Sequence, residues 1–268
     1  MSVVPLREAL TPERYGGKAV ALGIALAADL PVPDGVALSV DTVEAIVAGD
    51  RDALDSVATA VTRLGSPRVA VRSSAVGEDS HNASFAGMHE SCLGVDVSQG
   101  LAASIGRVHA SAHAPAAMAY RGRLGLPGPP RVGVAIQRML DPDCAGVMFT
   151  RDPRDGSDQR VIEGTWGLGE AVVAGMVTPD QAVLARGGEV VLSACGHKDV
   201  AVRLVDGGTA TVPLDADLAG RTCLTPTRLR ALEALAVACE RAFAGAHDIE
   251  WAFVGEQIFL LQRRPITT

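Results

Sequence analysis

Residues 69–91 read VAVRSSAVGEDSHNASFAGMHES, and the interpretation of the chain turns on them. The stretch opens as a short apolar strand, Val69 and Val71, that delivers Arg72 into a run of Ser, Gly, Asp and Asn. It returns through Phe85, Ala86 and Gly87. Small residues let a backbone come close to a ligand, and clustered N–H groups bind phosphate oxygens. An arginine at the mouth of such a loop can fork onto a phosphate. The plainer reading is a surface arginine that ends a strand. His89 reads as a partly buried core histidine rather than a ligand.

The 268 residues suffice for one large domain or two small ones. Hydrophobic residues make up 48% and charged residues 21%, the balance of a soluble globular protein. Aromatics are only 3%, so the core must come mainly from Val, Leu, Ala and Ile. A net charge of −7 argues against a general nucleic-acid or membrane-surface binder. The most apolar early run, residues 19–28, is too short to span a bilayer. Cys92, Cys144, Cys195, Cys223 and Cys239 are odd in number and scattered without a C-x-x-C pair. They read as reduced thiols of a cytoplasmic protein, with neither a zinc site nor a disulfide frame. Of 24 basic residues only Lys18 and Lys198 are lysine, which marks both for a closer look.

The periodicity predicts a helix opening at Gly16-Gly17-Lys18, a strand near 36–38, helices at 40–47 and 52–64, and a strand at 69–72. Residues 88–95 read as extended, and 99–122 as two helices broken at Pro115. LGLPGPP at 124–130 joins helix to strand. Strands follow at 132–138 and 145–149 around a turn at Asp141-Pro142-Asp143, with further short strands at 160–163, 182–185, 189–193 and 200–205. A helix over 226–243 has Thr225 as N-cap, Pro226 at its first position and Leu224 and Leu229 as a hydrophobic staple. Leu229, Leu232, Leu235, Cys239 and Phe243 form its buried stripe. A terminal hairpin pairs 248–253 with 257–262 about Gly255. The fold class is α/β with much antiparallel pairing.

Three patterns could carry chemistry. Gly16-Gly17-Lys18 could present N–H groups and an ammonium to a phosphate, although no G-x-x-x-x-G-K-[ST] loop occurs. On the hairpin, Ile249, Trp251 and Phe253 should face the core and Glu250 the other side. A three-residue turn at 255–257 would set Glu250 opposite Gln262; a two-residue turn would set it opposite Leu261. A carboxylate and an amide oxygen side by side suit a hard cation such as Mg²⁺, with Arg264 neutralising phosphate charge nearby. The plainer reading is a polar network at a sheet end. Residues 166–170, WGLGE, resemble half a dinucleotide fingerprint but lack its βαβ setting, so a backbone-shaped loop near a nucleotide fits better. No G-x-S-x-G or H-E-x-x-H is present.

Taken in order, these strings resemble the ATP-grasp nucleotide-binding domain of the phosphoenolpyruvate synthase, pyruvate phosphate dikinase and rifampin phosphotransferase family. The resembling strings are GGKAVALG at 16–23, PVPDGVALS at 31–39, VRSSAVGEDSHNASFAGMHES at 71–91, VAIQRMLDPDCAGVMFTRDP at 134–153, GTWGLGEAVVAGMVTPD at 164–180 and DIEWAFVGEQIFLLQRRPIT at 248–267. The resemblance implies a single ATP-grasp domain over 1–268, with lobes of roughly 1–130 and 131–268 that close on ATP. It implies phosphate contacts from Lys18 and Arg72, with Gly87 and Ser91 in the glycine-rich loop. Gln137, Met139 and Leu140 would fall on the segment that holds adenine. Glu250 and Gln262 would ligate Mg²⁺, Asp248 would assist them, and Arg264 would grip phosphates. Ala19 stands where the family often has Gly, and Ser91 where it often has Thr.

Family enzymes add a swivelling domain with a phosphorylatable histidine and a domain for the acceptor. None of the six histidines here lies in a Thr-x-His context. The leading expectation is therefore an ATP-dependent phosphotransferase subunit that phosphorylates a histidine on a separate carrier, releasing AMP and phosphate. A stand-alone ligase or small-molecule kinase forming ADP is the second reading, and a non-catalytic nucleotide-binding subunit the third. Neither nucleic acid nor membrane is an expected partner.

Overall fold

A computed structural model of the chain describes residues 1–77, 90–126 and 128–266. Gly87 and His89 lie outside the described residues. The chain forms two compact units, Met1–Ala27 with Pro33–Met139, and Ala28–Val32 with Leu140–Ile266.

The first unit runs β1 (Val3–Pro5), a short 3₁₀ turn, α1 (Pro12–Ala27), β2 (Gly35–Leu38), α2 (Val40–Val47), α3 (Arg51–Thr62), β3 (Arg68–Ala75), β4 (Ser91–Asp96), α4 (Leu101–Ala112), α5 (Pro115–Arg123) and β5 (Val132–Arg138). Its sheet has the order β1-β2-β5-β3-β4. The division falls after Met139, later than the expected break near 130, because β5 is the central strand here, paired to both β2 and β3. Alternation sorts the two faces. Val36, Leu38, Val69, Val71, Val134 and Ile136 join Val43, Val57, Ile105 and Val108 of α2, α3 and α4 in one core. The opposite face, under α1, carries small residues such as Ala70, Ser74, Gly133 and Ala135. Asp50 and Ser39 cap α3 and α2 with their side chains, as short polar residues do at helix starts.

The second unit runs β6 (Cys144–Phe149), β7 (Gln159–Trp166), α6 (Glu170–Val173), β8 (Asp180–Ala185), β9 (Val190–Ala194), β10 (Val200–Val205), β11 (Gly208–Pro213), α7 (Ala216–Ala219), α8 (Pro226–Ala242), β12 (His247–Val254) and β13 (Gln257–Pro265). Six strands form a sheet of order β13-β12-β6-β7-β8-β9, and β10-β11 is a separate ribbon. Residues 28–32 belong to this unit; the Leu260 N–H donates to the Pro31 carbonyl at 2.8 Å. Thr225 caps α8 as expected, and Leu229, Leu232, Leu235 and Cys239 are buried. Phe243 leaves the stripe: it is the extended C-cap residue, and the Arg263 guanidinium lies 4.3 Å over its ring.

Among the described residues every strand ladder is antiparallel. The α/β expectation therefore resolves to an α+β arrangement of helices and antiparallel sheets. The sequence reading also missed β1, β11, α6 and α7, and began α1 too late.

Candidate functional site

In the first unit the candidate residues gather around one sheet face. Arg72 on β3 pairs directly with Ser91 on β4 and with Ala135 on β5. Opposed residues in an antiparallel pair carry their side chains on the same face, about 4.5–5.5 Å apart. Gln137 pairs with Ala70, so its side chain belongs to that face too. Arg72 and Gln137 are buried, at 8% and 3% exposure. The Gln137 Nε2 finds no hydrogen-bond acceptor among the described residues, an arrangement that normally costs about 1–3 kcal/mol. Met139 follows at the strand end, where its N–H donates to the Arg68 carbonyl at 3.1 Å.

Lys18 lies on α1, which packs on β3 and β5, and it is only 6% exposed. Its placement depends on Gly16. That residue has φ +79° and interrupts the helical backbone. A Cβ there would fall 1.7 Å from the Ser74 carbonyl oxygen. Only glycine permits both the conformation and the approach. One turn on, the Ala19 N–H donates to the Ser74 hydroxyl at 2.9 Å. The GGK string is thus a close joint between α1 and β3 that sets the course of the Lys18 turn.

In the second unit the hairpin carries the candidate residues. Glu250 pairs with Gln262, and Asp248 with Arg264. The route differs from the sequence argument. Val254 faces Gln257, so Gly255 and Glu256 alone make the turn, which by itself would bring Leu261 opposite Glu250. A β-bulge between the Trp251 and Glu250 pairs absorbs Leu261 and restores the Glu250–Gln262 pairing. Asp143 pins the turn by accepting the Gly255 N–H at 2.6 Å. Ile249, Trp251 and Phe253 are fully buried on the other face, with Trp251 over Gly164.

Arg264 Nε donates to Asp248 Oδ2 at 2.7 Å. Asp248 Oδ1 is buried and accepts no hydrogen bond among the described residues. Burial raises the Asp248 pKa, Arg264 only partly counters this, and Glu250 adds to the rise. Two carboxylates, an amide and a guanidinium therefore share one face. The oxygens are hard donors, the set that Mg²⁺ takes. An orphaned buried acceptor beside them fits a cation better than it fits a closed structural pair. Leu140, at the start of this unit, is half-buried.

One residue escaped the sequence reading. Glu163 on β7 pairs with Val147 on β6, which pairs with Glu250. Glu163 therefore lies on the Glu250 face, where its Oε1 accepts from Gln181 Nε2 at 3.2 Å. The alternation of Arg160, Ile162 and Gly164 with Val161, Glu163 and Thr165 was the signal available. In the WGLGE string, Gly167 has φ +78° and a Cβ there would lie 2.4 Å from the Val202 carbonyl oxygen. The loop is shaped by its packing on β10.

Residues 50–268 match the family model described as the pyruvate phosphate dikinase AMP/ATP-binding domain. The chain is 35% identical to a probable phosphoenolpyruvate synthase of Methanothermobacter thermautotrophicus, covering 75% of this chain and 30% of the relative. It is 37% identical to a rifampicin phosphotransferase of Streptomyces sviceus, covering 85% of this chain and 26% of the relative. A probable phosphoenolpyruvate synthase of Archaeoglobus fulgidus is 30% identical, covering 94% of this chain and 40% of the relative. The chain thus spans well under half the length of these relatives. Among solved structures, the VanG D-Ala:D-Ser ligase of Enterococcus faecalis overlaps 97% of this chain and 54% of its own at TM-score 0.41 and 11% identity, too distant to carry an argument. The sequence match alone, continuous through β3, β5 and the Glu250 hairpin, settles the matter: the chain belongs to the pyruvate phosphate dikinase AMP/ATP-binding domain family.

Proposed function

We propose that this domain binds Mg·ATP and supports net transfer of its β-phosphoryl group to a histidine on a carrier domain or protein. ATP, water and histidine enter; AMP, phosphate and phosphohistidine leave. The observation that carries the reading is the hairpin face, where Asp248, Glu250, Gln262 and Arg264 sit on two paired strands and Asp248 Oδ1 lacks a donor among the described residues. Glu250 and Gln262 would hold Mg²⁺, with Asp248 assisting, and the metal would supply charge neutralisation at the phosphates. Lys18, Arg72 and Arg264 would share that work as cations, with Ser91 offering a hydroxyl and Gly87 a backbone approach. Gln137, Met139 and Leu140 would hold the adenine. On Met139 the carbonyl and side chain remain for this, since its N–H is already given to Arg68. Glu163, on the Glu250 face, is a further candidate contact. The protein's chemical share is positioning and electrostatics.

The test is chromatography of nucleotides after incubation with Mg·ATP, alone and with candidate carrier proteins, with Glu250→Ala as control. AMP that forms only with a carrier and is lost in E250A supports the reading. ADP formed by the protein alone moves the assignment to a ligase or kinase. Binding without turnover under any pairing moves it to a nucleotide-binding subunit.

A further inference from the structure

His109 and His113 lie one helical turn apart at the end of α4, and neither is among the residues assigned above. Side chains four residues apart on a helix are neighbours. Their ring centroids are 4.5 Å apart and the planes are inclined by 35°. His113 Nδ1 lies 3.0 Å from the His109 carbonyl oxygen. A carbonyl only accepts, so the neutral His113 ring carries its proton on Nδ1 and keeps the lone pair of Nε2. Burial lowers the His109 pKa, and the neighbouring His113 lowers it further. In its neutral form each ring offers a nitrogen lone pair.

The surroundings favour a cation. The end of a helix carries partial negative charge. Glu44, on α2 packed against α4, adds a carboxylate whose field reaches His109. His113 is exposed and His109 half-buried, so the pair is open to solvent.

We propose that His109 and His113 form a two-imidazole chelate for a borderline divalent transition cation, Zn²⁺, Ni²⁺ or Cu²⁺, at the C-terminal turn of α4. Imidazole selects these metals over Mg²⁺, so the site is distinct in chemistry from the hairpin. Among the described residues no group of three or more His, Cys, Asp or Glu is arranged to hold a metal. The chelate is therefore a two-ligand site completed by water, weaker than a closed structural centre. The turn it would clamp already holds the start of β4, since Ser111 Oγ accepts the N–H of Glu90 at 3.0 Å. Glu90 also pairs with Arg107 of the same helix.

Thermal unfolding and equilibrium dialysis with Ni²⁺, in saturating Mg²⁺, test the proposal. Ni²⁺ should raise the midpoint, since a ligand that binds the native state stabilises it, and a chelator should reverse the rise. His113→Ala and His109→Ala should each lose about tenfold or more in Ni²⁺ affinity, and His197→Ala should not. Because His113 is exposed, H113A remains decisive if loss of the half-buried His109 disturbs folding. No Ni²⁺ uptake by the wild type, or unchanged uptake by H113A, would overturn it.

Discussion

Asp180 and Asp248 both sit in the six-stranded sheet, and each meets one basic side chain. Asp180 Oδ1 accepts from Lys198 Nζ at 2.5 Å and from the Gly196 N–H at 2.8 Å, while Oδ2 accepts the Cys223 N–H at 2.7 Å. Both side chains of this pair are fully buried. Burial pushes the Asp180 pKa up, but Lys198 and the backbone N–H groups of Cys223 and Gly196 together bring it below the ordinary value. Asp248 has the Arg264 bond and an orphaned Oδ1, and its pKa moves the other way. A carboxylate whose two oxygens are both engaged by the fold is a structural joint. One that the fold leaves underserved keeps its capacity for something the fold does not contain.

The sharpest way to break this contrast is Asp180→Asn. Removing one partner of a buried pair leaves the other charge stranded, so a loss of about 3–5 kcal/mol is expected in denaturant titration. A loss below about 1 kcal/mol, the range of exposed pairs, would erase the distinction. Asp248→Asn should behave oppositely. The burial cost of its charge disappears, so stability at neutral pH should hold or rise, while Mg·ATP affinity measured by calorimetry falls about 10–100-fold. Equal destabilisation of the two variants would show that Asp248 is structural.

The smallest effect is in the pH profile. A depressed pKa makes the Asp180 contribution full above the unfolded value of 3.8 and lost as pH falls through the folded value. The raised Asp248 pKa reverses the sign: its contribution is full below 3.8 and lost as pH rises through the folded value. Stability measured from acid to neutral pH should therefore show a weakened acid limb in D180N. In D248N it should show a shallower decline above the acid range.

Much of this architecture was legible because it is written in local patterns. The Thr225-Pro226 start of α8 and the break at Pro115 each follow from residues close in sequence, whereas the Glu250–Gln262 partnership was reached through a three-residue turn that the structure replaces with a two-residue turn and a bulge. Lys198 stood out by rarity, yet its partner Asp180 did not, because a buried ion pair between residues 18 apart has no periodic signature. Gly16 read as a helix start because sequence shows a glycine but not the Ser74 carbonyl that excludes a Cβ. Glu163 was hidden because its membership of the Glu250 face passes through Val147 on a third strand, which only the sheet order reveals. The three-residue β1 is too short for alternation to register, and β11, GTATVP, is built mostly of small residues and has no buried face to mark it.

The bulge at Leu261 has a consequence for how this hairpin can vary. A two-residue turn with one bulged residue and a three-residue turn with none deliver the same Glu250–Gln262 partnership. A residue inserted at the tip can thus be balanced by deletion of Leu261, leaving the far end of the ladder undisturbed. Sequence length at the tip is negotiable, while the register that sets Glu250 against Gln262 is held constant. The hairpin works as a vernier: slack taken up at one mark leaves the reading at the other unchanged.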